Sequence, residues 1–480
     1  MLCKRVNAMN ESSSKKSPPG PKGLPVLGSL LAVRNDPHLR IDRFAREYGD
    51  ICLLRFGSVP TVVISHPVLL KEAFDKTELS DRWLSQIMGI LTHHGRDLAM
   101  APYGEHWRQM QRFANRELLS RRNLQQIREQ HVEEVVSLLV AEVGEKSDSG
   151  HPVEPTEMLS RSNSMIMFRA IFGRKDDTSD FEDKQTELLE GVYWTFRNAT
   201  ATNLADYIPW LGIMPNGTIS EAKKQSRVID DIIEYLINGV RARPDLDLEN
   251  PACLVDLMLA KQAAGELTEE SMILLISNLM MAGIDTSAQT VTWLLLILAN
   301  RPEIQRSIHE EMDRVIGPNS VPTVEDRVRL PYLNAVILEN MRYRTVGPLA
   351  LPHKAAVTCE VGGYTIPEGA QVLGNLYSIH HDSRFWDWPD RFVPDRFLPQ
   401  DDGSPASAMT SGAFIPFGVG GRSCPGRQFG EILVWLHASR LLHRFQFRGV
   451  APPISEEEVF GLTVGPKPFA LHATRRVPGV

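Results

Sequence analysis

A glycine-rich turn that carries a single cysteine is the strongest candidate for chemistry in this chain. It spans residues 417–426 and reads FGVGGRSCPG. Glycine allows positive φ and a close approach of the backbone to something flat or bulky. A thiol at the tip of such a turn can be ionised by a metal, and the thiolate can accept hydrogen bonds from backbone N–H groups. We expect Arg422 to pair with an acidic group of the same ligand. A lone cysteine can instead be a small buried apolar residue, and this alternative stays open at this point.

A second group of polar residues interrupts a long apolar segment that runs from Thr268 to about Asn300. The interruption predicts a helix buried in a large protein rather than a membrane span. Residues 282–286 of this segment read AGIDT. The hydroxyl of Thr286 can donate to the carbonyl of Ala282 one turn earlier and bend the helix, and Gly283 leaves room for a ligand. A kinked helix and a catalytic notch are both compatible with these residues.

A third group is a pair of opposite charges. The segment from Tyr332 to Arg344 predicts a helix that holds Glu339 and Arg342 at i, i+3 spacing, which puts both side chains on one face within reach of each other. Taken alone, such a pair is commonplace on protein surfaces and contributes little stability.

Composition excludes several classes of protein. The 480 residues are 42% hydrophobic and 23% charged, which is an ordinary globular balance. A net charge of -7 argues against nucleic-acid binding. The 5 cysteines are odd in number and scattered, without a C-x-x-C, which argues against a disulfide scaffold or a zinc cage. No N-terminal run is apolar enough for a signal peptide or a spanning helix.

The remaining pattern predicts the elements that position these groups. Residues 1–17 predict a disordered tail and residues 18–26 a stiff, proline-rich hinge. Residues 27–480 then predict one domain, mainly α with a minor β region built from both ends of the chain. Alternation predicts strands at 51–56, 61–64, 356–359, 363–366, 371–376 and 469–474, and helical periodicity predicts helices at 39–48, 68–74, 104–119, 124–143, 157–172, 183–198, 219–239 and 254–262.

The spacing F-x-x-G-x-R-x-C-x-G resembles the haem-binding loop of the cytochrome P-450 family. This resemblance implies that Cys424 is the axial thiolate of a haem b iron, the ligand type that favours O–O cleavage, and that Phe417 and Arg422 bind the cofactor. The AGIDT segment resembles the oxygen-binding notch of the same family. The resemblance implies that Asp285 and Thr286 supply protons during oxygen activation, which is general acid catalysis.

The charge pair Glu339–Arg342 resembles the E-x-x-R of this family, which is completed by an arginine in a P-x-R-F segment, here Arg396. The resemblance implies a structural role that holds the cysteine loop in register. Residues 347–353 resemble a stretch that lines the substrate pocket, which implies that His353 reaches a haem propionate; a loop histidine with a backbone partner is the alternative.

The same resemblance implies that Trp107 contacts a propionate. Four residues later, however, this sequence departs from the pattern of the family. Relatives carry an arginine there, whereas this chain has Gln111, which lacks the charge that makes such contacts strong. Arg82 is the candidate for the remaining contact, with a surface arginine as its alternative.

The resemblance implies a mainly helical fold with the long buried helix over the haem. It also implies a monooxygenase that inserts one atom of O2 into a lipophilic steroid, fatty acid or xenobiotic, nearest to the animal microsomal enzymes. Its electrons are expected from NADPH through a diflavin reductase, with a small b-type cytochrome as a further partner. The expected substrate contacts are Ala282, Ala350, Leu351 and Leu462. A peroxide-using isomerase or dehydratase and a non-catalytic haem sensor or carrier are the alternatives.

The resemblance also implies a location, the cytosolic face of the endoplasmic reticulum membrane, although no anchor helix is recognised in the sequence. The apolar segment 207–214 is expected to touch the bilayer surface. A group of arginines is expected to dock the acidic reductase: Arg108, Arg112, Arg116, Arg121, Arg122 and Arg427.

Overall fold

The computed structural model describes residues 16–173, 179–199, 204–208, 211, 216–400, 402 and 404–476. Residues 1–15 of the predicted tail, together with Trp210 and Met214 of the predicted membrane segment, lie outside the described residues. The predicted hinge runs beside the first strand, where the carbonyl of Pro19 accepts a hydrogen bond of 2.8 Å from the amide of Leu53. The predicted domain boundaries stay a prediction.

The described part of the chain is mainly helical, as predicted. In chain order the helices are α1 Pro37–Tyr48, α2 Pro67–Asp75, α3 Gln86–Leu91, α4 Glu105–Phe113, α5 Arg121–Ile127, α6 Glu133–Asp148, α7 Pro155–Phe172, α8 Ser179–Asn198, α9 Leu204–Tyr207, α10 Gly217–Arg241, α11 Leu254–Ala263, α12 Glu269–Asn300, α13 Pro302–Val315, α14 Pro331–Tyr343, α15 Leu376–His380, α16 Ser407–Thr410 and α17 Arg427–Arg444.

The strands form one mixed sheet and three two-stranded pairs. They are β1 Ile51–Phe56, β2 Val59–Ile64, β3 Asp81–Arg82, β4 His353–Lys354, β5 Cys359–Val361, β6 Tyr364–Ile366, β7 Gln371–Gly374, β8 Phe445–Gly449, β9 Glu458–Phe460, β10 Val464–Pro466 and β11 Leu471–Arg475. The five-stranded sheet has the order β1-β2-β7-β4-β3, and the pairs are β5-β6, β8-β11 and β9-β10. The main sheet therefore joins strands from both ends of the chain, as predicted.

Most predicted elements are confirmed within a few residues at their ends. The β1–β2 hairpin turns at residues 57–58, and α12 begins after Thr268, whose hydroxyl accepts from the amide of Ser271 at 3.2 Å as an N-cap. The sequence pattern missed the strands β3, β4, β8, β9 and β10 and, among the longer helices, α13 and α17. Apart from β8, these strands are two or three residues long, too short to show an alternation of their own.

Helix α12 lies at the centre of the core. It packs against α7, α10, α14, α17 and the strands β8 and β10. In the part of the chain that the structure describes, α12 is the one helix whose length and composition would let it cross a membrane. Its C-terminal half is buried almost completely among these elements, as predicted for a core helix.

Candidate active site

The glycine-rich turn closes on itself and presents Cys424 just before α17. The amide of Cys424 donates to the carbonyl of Phe417 at 2.9 Å. Gly420 has φ of 77°, and a Cβ atom there would lie 2.4 Å from the carbonyl oxygen of Phe74 on α2. This position requires glycine for both reasons, so the turn packs against α2 with its cysteine facing away.

Cys424 is exposed as a residue, but the protein around it partly encloses its thiol. The residue is accessible to solvent, yet the surrounding protein desolvates its thiol and raises its pKa. The N–H of Gly426 and the charge of Arg427 act in the opposite direction and favour the thiolate. Because α17 begins at Arg427 and packs on α12, the cysteine loop lies beside the central helix.

The polar break of α12 also exposes atoms inside an otherwise buried helix. Ala282 and Thr286, one turn apart, are exposed while Ile284 and Asp285 are buried. The hydroxyl of Thr286 donates to the carbonyl of Ala282 at 2.8 Å, as predicted. The polar break therefore leaves an accessible stripe on the core helix α12.

Gly283 has a different neighbour from the one the sequence suggested. A Cβ atom at this position would lie 2.7 Å from Sδ of Met167 on α7. The missing side chain therefore lets α7 approach α12, and Met167 already fills the room that we had expected to hold a ligand. This part of the sequence interpretation is wrong.

Asp285 is buried, with 2% of its surface exposed. Its carboxylate accepts from the hydroxyl of Thr463 at 2.6 Å and from the amide of Gln289 at 3.2 Å. Burial raises the pKa of Asp285, while these two hydrogen bonds and the charge of Arg197 oppose the rise. A buried carboxyl with a raised pKa is suited to hold and release a proton.

Arg82, which is buried, and Arg422, which is half-buried, lie close enough to repel each other, and the charges of Asp81 and Asp97 compensate them only from a distance. Arg82 donates from Nε to the carbonyl of Ala99 at 3.1 Å and from Nη1 to that of Leu351 at 2.9 Å, and Arg422 donates from Nε to the carbonyl of Ser80 at 3.0 Å. Burial and the charge of Arg422 lower the pKa of Arg82 to about 9, and burial lowers that of Arg422 to about 10. Arg82 is only 9% exposed, which excludes the alternative of a solvated surface arginine.

Donors at these arginines are left over for a ligand. Nη1 of Arg422 is buried and has no hydrogen-bond partner, and no carboxylate of the described residues lies within 4.0 Å of either guanidinium. The guanidinium of Arg422 lies over the ring of Trp107, 4.0 Å from its centroid. Weakly compensated cations beside an aromatic ring suit a ligand with carboxylates and a flat apolar body. The residues therefore fit a haem, whose propionates Arg82, Arg422 and Trp107 would contact and whose iron Cys424 would bind, as the sequence predicts.

His353 stands beside this pair, because β4 pairs with β3 and aligns His353 with Arg82. Its Nδ1 donates to the carbonyl of Leu79 at 2.6 Å, and its ring stacks on Phe74 at 3.8 Å. Burial and the charges of Arg82 and Arg422 lower its pKa well below the ordinary value. In the neutral ring Nε2 therefore carries a lone pair. A hydrogen bond to a propionate would require a protonated Nε2, that is, a doubly protonated, cationic ring. The backbone partner of the alternative interpretation is present.

Gln111, which replaces the usual arginine, reaches the cysteine loop itself. Its Nε2 donates to the carbonyl of Gly421 at 3.2 Å. The side chain therefore ties α4 to the loop. Phe417, at the start of the loop, lies against the first turn of α17, where Arg427 is 5.5 Å from its ring.

The charge pair on α14 is part of a buried cluster with Arg396. Arg342 donates to Glu339 from Nε at 2.7 Å and from Nη2 at 2.9 Å, and both residues are 0% exposed. Arg396 lies 3.2 Å from Glu339. Three backbone carbonyls accept the remaining N–H groups of Arg342, namely those of His380, Pro389 and Arg391. The cluster ties α14 to the segment that leads into the cysteine loop.

The expected substrate contacts come from three different elements. Ala282 lies on α12, Ala350 and Leu351 precede β4, and Leu462 lies at the tip of the β9–β10 hairpin. All four are at least partly accessible. Ala350 has φ of 53°, which is rare for a residue other than glycine. Such outliers gather where a backbone is shaped around a ligand.

Two partners in the site escaped the sequence interpretation. Asp97 is 2% exposed and accepts from the side chain of Asn278 at 2.6 Å, which joins the loop after α3 to α12. Thr463 is the second, and its bond to Asp285 joins positions 178 residues apart. No local spacing could have indicated either contact.

Comparison with known proteins gives the family. The model of the family described as Cytochrome P-450 matches residues 18–473. A phenylacetaldehyde oxime monooxygenase of Prunus mume is 30% identical over 96% of this chain and 90% of its own length. A trans-cinnamate 4-monooxygenase of Catharanthus roseus is 31% identical over 95% and 91%, and a costunolide synthase of Cichorium intybus is 30% identical over 98% and 94%.

These relatives come from plants, so the expected placement nearest to the animal enzymes stays a prediction. The family itself is established over nearly the whole chain. The chain belongs to the cytochrome P-450 family, and it is accordingly an oxygen-incorporating oxidoreductase whose cofactor is haem held by a cysteine thiolate.

Proposed function

We propose that this enzyme inserts one oxygen atom of O2 into a lipophilic small molecule such as a steroid, a fatty acid or a xenobiotic. The observation that carries the proposal is the combination of an exposed Cys424 just before α17 with an exposed Thr286 on α12, the helix against which α17 packs. The expected substrate contacts Ala282, Ala350, Leu351 and Leu462 are apolar, which favours a lipophilic ligand. The relatives act on small organic molecules by their names.

The residues divide the work between them. The haem, when bound, supplies the redox chemistry of oxygen activation. Cys424 provides the thiolate, and the N–H of Gly426 stabilises its charge. Thr286 orients water in the accessible notch, and Asp285 stores the proton that this water passes on. Arg82, Arg422 and Trp107 hold the carboxylates of the cofactor.

Cys424 is preferred over the other described cysteines on geometric grounds. Cys52 and Cys253 are buried, and burial raises the pKa of each thiol to about 12. Cys359 lies in β5, paired with Ile366, on a small sheet that packs on α2. Cys424 alone among these four combines an accessible thiol, a glycine turn and the neighbourhood of α12.

The test is an optical titration of the ferric holoenzyme with steroids, long-chain fatty acids and planar aromatic compounds, followed by turnover with NADPH and reductase. A saturable spectral shift with one class, and NADPH consumption that matches product, is the expected result. Product formed from a peroxide without reductase would favour an isomerase or dehydratase instead. Binding without any product would favour a sensor or carrier.

The electron donor is proposed to be an NADPH-dependent diflavin reductase, with a small b-type cytochrome as a second partner. Arg116, Arg121 and Arg122 are exposed and make no ion pair within the described residues, so they are available to an acidic protein. Electrostatic docking predicts that reduction slows as salt rises. A rate that does not change between low and high ionic strength would contradict this docking surface.

The enzyme is proposed to work at the cytosolic face of the endoplasmic reticulum. Leu24, Val26 and Leu204 are exposed apolar residues, and hydrogen bonds tie their segments together: Gly57 donates to the carbonyl of Leu27 and Ser58 to that of Tyr207. Exposed apolar side chains gathered at one end suit contact with a bilayer. Changing Trp210 and Leu211 to Ser should weaken binding to liposomes, and unchanged binding would argue against this contact.

A further inference from the structure

Two neighbours in the sequence face different parts of the molecule. Thr286 is exposed, whereas the carboxylate of Asp285 is buried against the β9–β10 hairpin. Thr463, at the tip of that hairpin, donates its hydroxyl to Asp285 at 2.6 Å, and the side-chain amide of Gln289 donates to the same carboxylate at 3.2 Å. In this arrangement the hairpin holds the acid, which is not itself accessible.

The hairpin is fixed firmly against α12. Glu458 in β9 accepts from Arg344 at 2.7 Å and bonds to His38 at 2.8 Å. Trp293 of α12 donates its indole N–H to the carbonyl of Val464 at 3.0 Å. A Cβ atom at Gly465 would lie 2.4 Å from the side chain of Gln289, so glycine is needed for this close approach. The position of Thr463 is therefore set by the hairpin as a whole.

The tip of the hairpin also contacts α8. The amide of Leu462 donates to the carbonyl of Phe196 at 2.7 Å. Tyr193 and Arg197 of the same helix interact electrostatically with Asp285. The turn at the tip of the hairpin thus carries Leu462, which is an expected substrate contact, and it joins α8 to the acid on α12.

We propose that Thr463 is a positioning residue for the proton relay, and that the hairpin tip couples substrate contact at Leu462 and α8 to the orientation of Asp285. The proposal rests on the proposed monooxygenase function. Thr463 has two effects on the acid. Its hydroxyl fixes the direction of the carboxylate, and because it donates to the charged form it opposes the pKa rise caused by burial. Gln289, Tyr193 and Arg197 are the other polar groups that face Asp285, and all three stay in place when Thr463 is changed.

The test compares three variants of the holoenzyme. Thr463→Val keeps the shape and removes the hydroxyl, whereas Thr463→Ser keeps the hydroxyl. Thr292→Val is the matched control. Thr292 lies on α12, like Asp285, and its buried hydroxyl has no hydrogen-bond partner among the described residues. The measurements are the fraction of NADPH electrons released as hydrogen peroxide, the pH profile of product formation and the substrate Kd from the spectral shift.

For Thr463→Val we expect several-fold more peroxide per NADPH at an unchanged Kd. A general acid works in its protonated form, so product formation falls as pH rises through its pKa. Loss of the Thr463 donor raises that pKa further, and the fall should move to higher pH by about one unit. Thr463→Ser and Thr292→Val should match the wild type. A peroxide fraction and a pH profile of Thr463→Val equal to those of the wild type would overturn the proposal.

A second measurement does not depend on turnover. Thermal unfolding of Thr463→Val, Asp285→Asn and the double variant forms a double-mutant cycle. If the destabilisation of the double variant equals the sum of the two single destabilisations, the two side chains are not coupled. That result would overturn the proposal even in a protein without monooxygenase activity. Coupled effects in a protein that makes no product would instead retain the contact and refute the proposed function.

Discussion

Two buried groups of arginines in this protein differ in what compensates them. Glu339 lies between Arg342 and Arg396, and backbone carbonyls accept the remaining N–H groups of Arg342. Arg82 and Arg422, by contrast, lie beside each other, buried and half-buried, with no carboxylate in ion-pair range among the described residues. Nη1 of Arg422 has no hydrogen-bond partner within the described part of the chain.

The difference separates a structural cluster from a binding site. A buried charge is expensive unless it is paired and hydrogen-bonded. The cluster around Glu339 meets this requirement with protein atoms alone, so it can hold the fold before any ligand arrives. The pair of Arg82 and Arg422 has only backbone carbonyls and the more distant charges of Asp81 and Asp97, so an anionic ligand would compensate it further.

The largest effect is expected at the compensated cluster. Glu339→Gln leaves two buried guanidinium groups without their shared carboxylate, and breaking such a group costs about 3–5 kcal/mol. Protein expressed with this change should contain no haem, as measured by the haem-to-protein ratio. Asp75→Asn is the matched control, because the ion pair of Asp75 with Lys71 is exposed and worth about 0–1 kcal/mol. Recovery of a normally assembled holoprotein from Glu339→Gln would refute the structural role.

A comparably large change is expected at the thiolate, but without loss of the fold. Cys424→Ser removes the proposed iron ligand, so the ferrous carbon monoxide spectrum typical of thiolate ligation should disappear. Cys359→Ser is the control and should keep this spectrum, because Cys359 pairs within β5–β6. A thiolate spectrum that persists in Cys424→Ser would show that another residue is the iron ligand.

An intermediate effect distinguishes the two arginine groups directly. Arg422→Gln removes hydrogen bonds to an ionised carboxylate, worth about 1.5–3 kcal/mol, so haem affinity should fall about 10-fold to 150-fold. The haem-free protein should be as stable as the wild type or more stable, since a weakly compensated charge has been removed. Competition for haem and thermal unfolding of both forms measure these effects. A haem-free Arg422→Gln protein that unfolds far more easily would make this arginine structural.

The smallest effect is expected at the partly exposed pair of His93 and Asp230. His93 lies 2.9 Å from Asp230 on α10, and the hydrogen bond to Asp230 raises its pKa above 6.5. The pair adds stability that is fully present below pH 6.5 and is lost as pH rises through the raised value. His93→Gln should remove this pH dependence at a cost of about 0.2–1 kcal/mol below pH 6.5. Identical pH dependence of unfolding in the two proteins would contradict the pair's contribution.

Local spacing predicted much of the site. The turn at 417–426, the charge pair on α14 and the hydroxyl of Thr286 on the carbonyl of Ala282 depend on residues within about ten positions of each other, where periodicity and glycine conformation act directly. The same holds for the long helices and the β1–β2 hairpin. The short strands β3 and β4 exist only because they pair across the chain, and nothing in their own sequence could predict them.

By itself, then, the sequence determined the family, the helical class and the residue types that hold a haem. Only the tertiary structure decided which of them meet. It put Arg82 beside Arg422, filled the room at Gly283 with Met167, turned Gln111 to the carbonyl of Gly421 and bonded Asp285 to Thr463. The physical reason is that burial, charge compensation and hydrogen bonding are properties of neighbours in space. Those neighbours are up to several hundred residues apart in the chain.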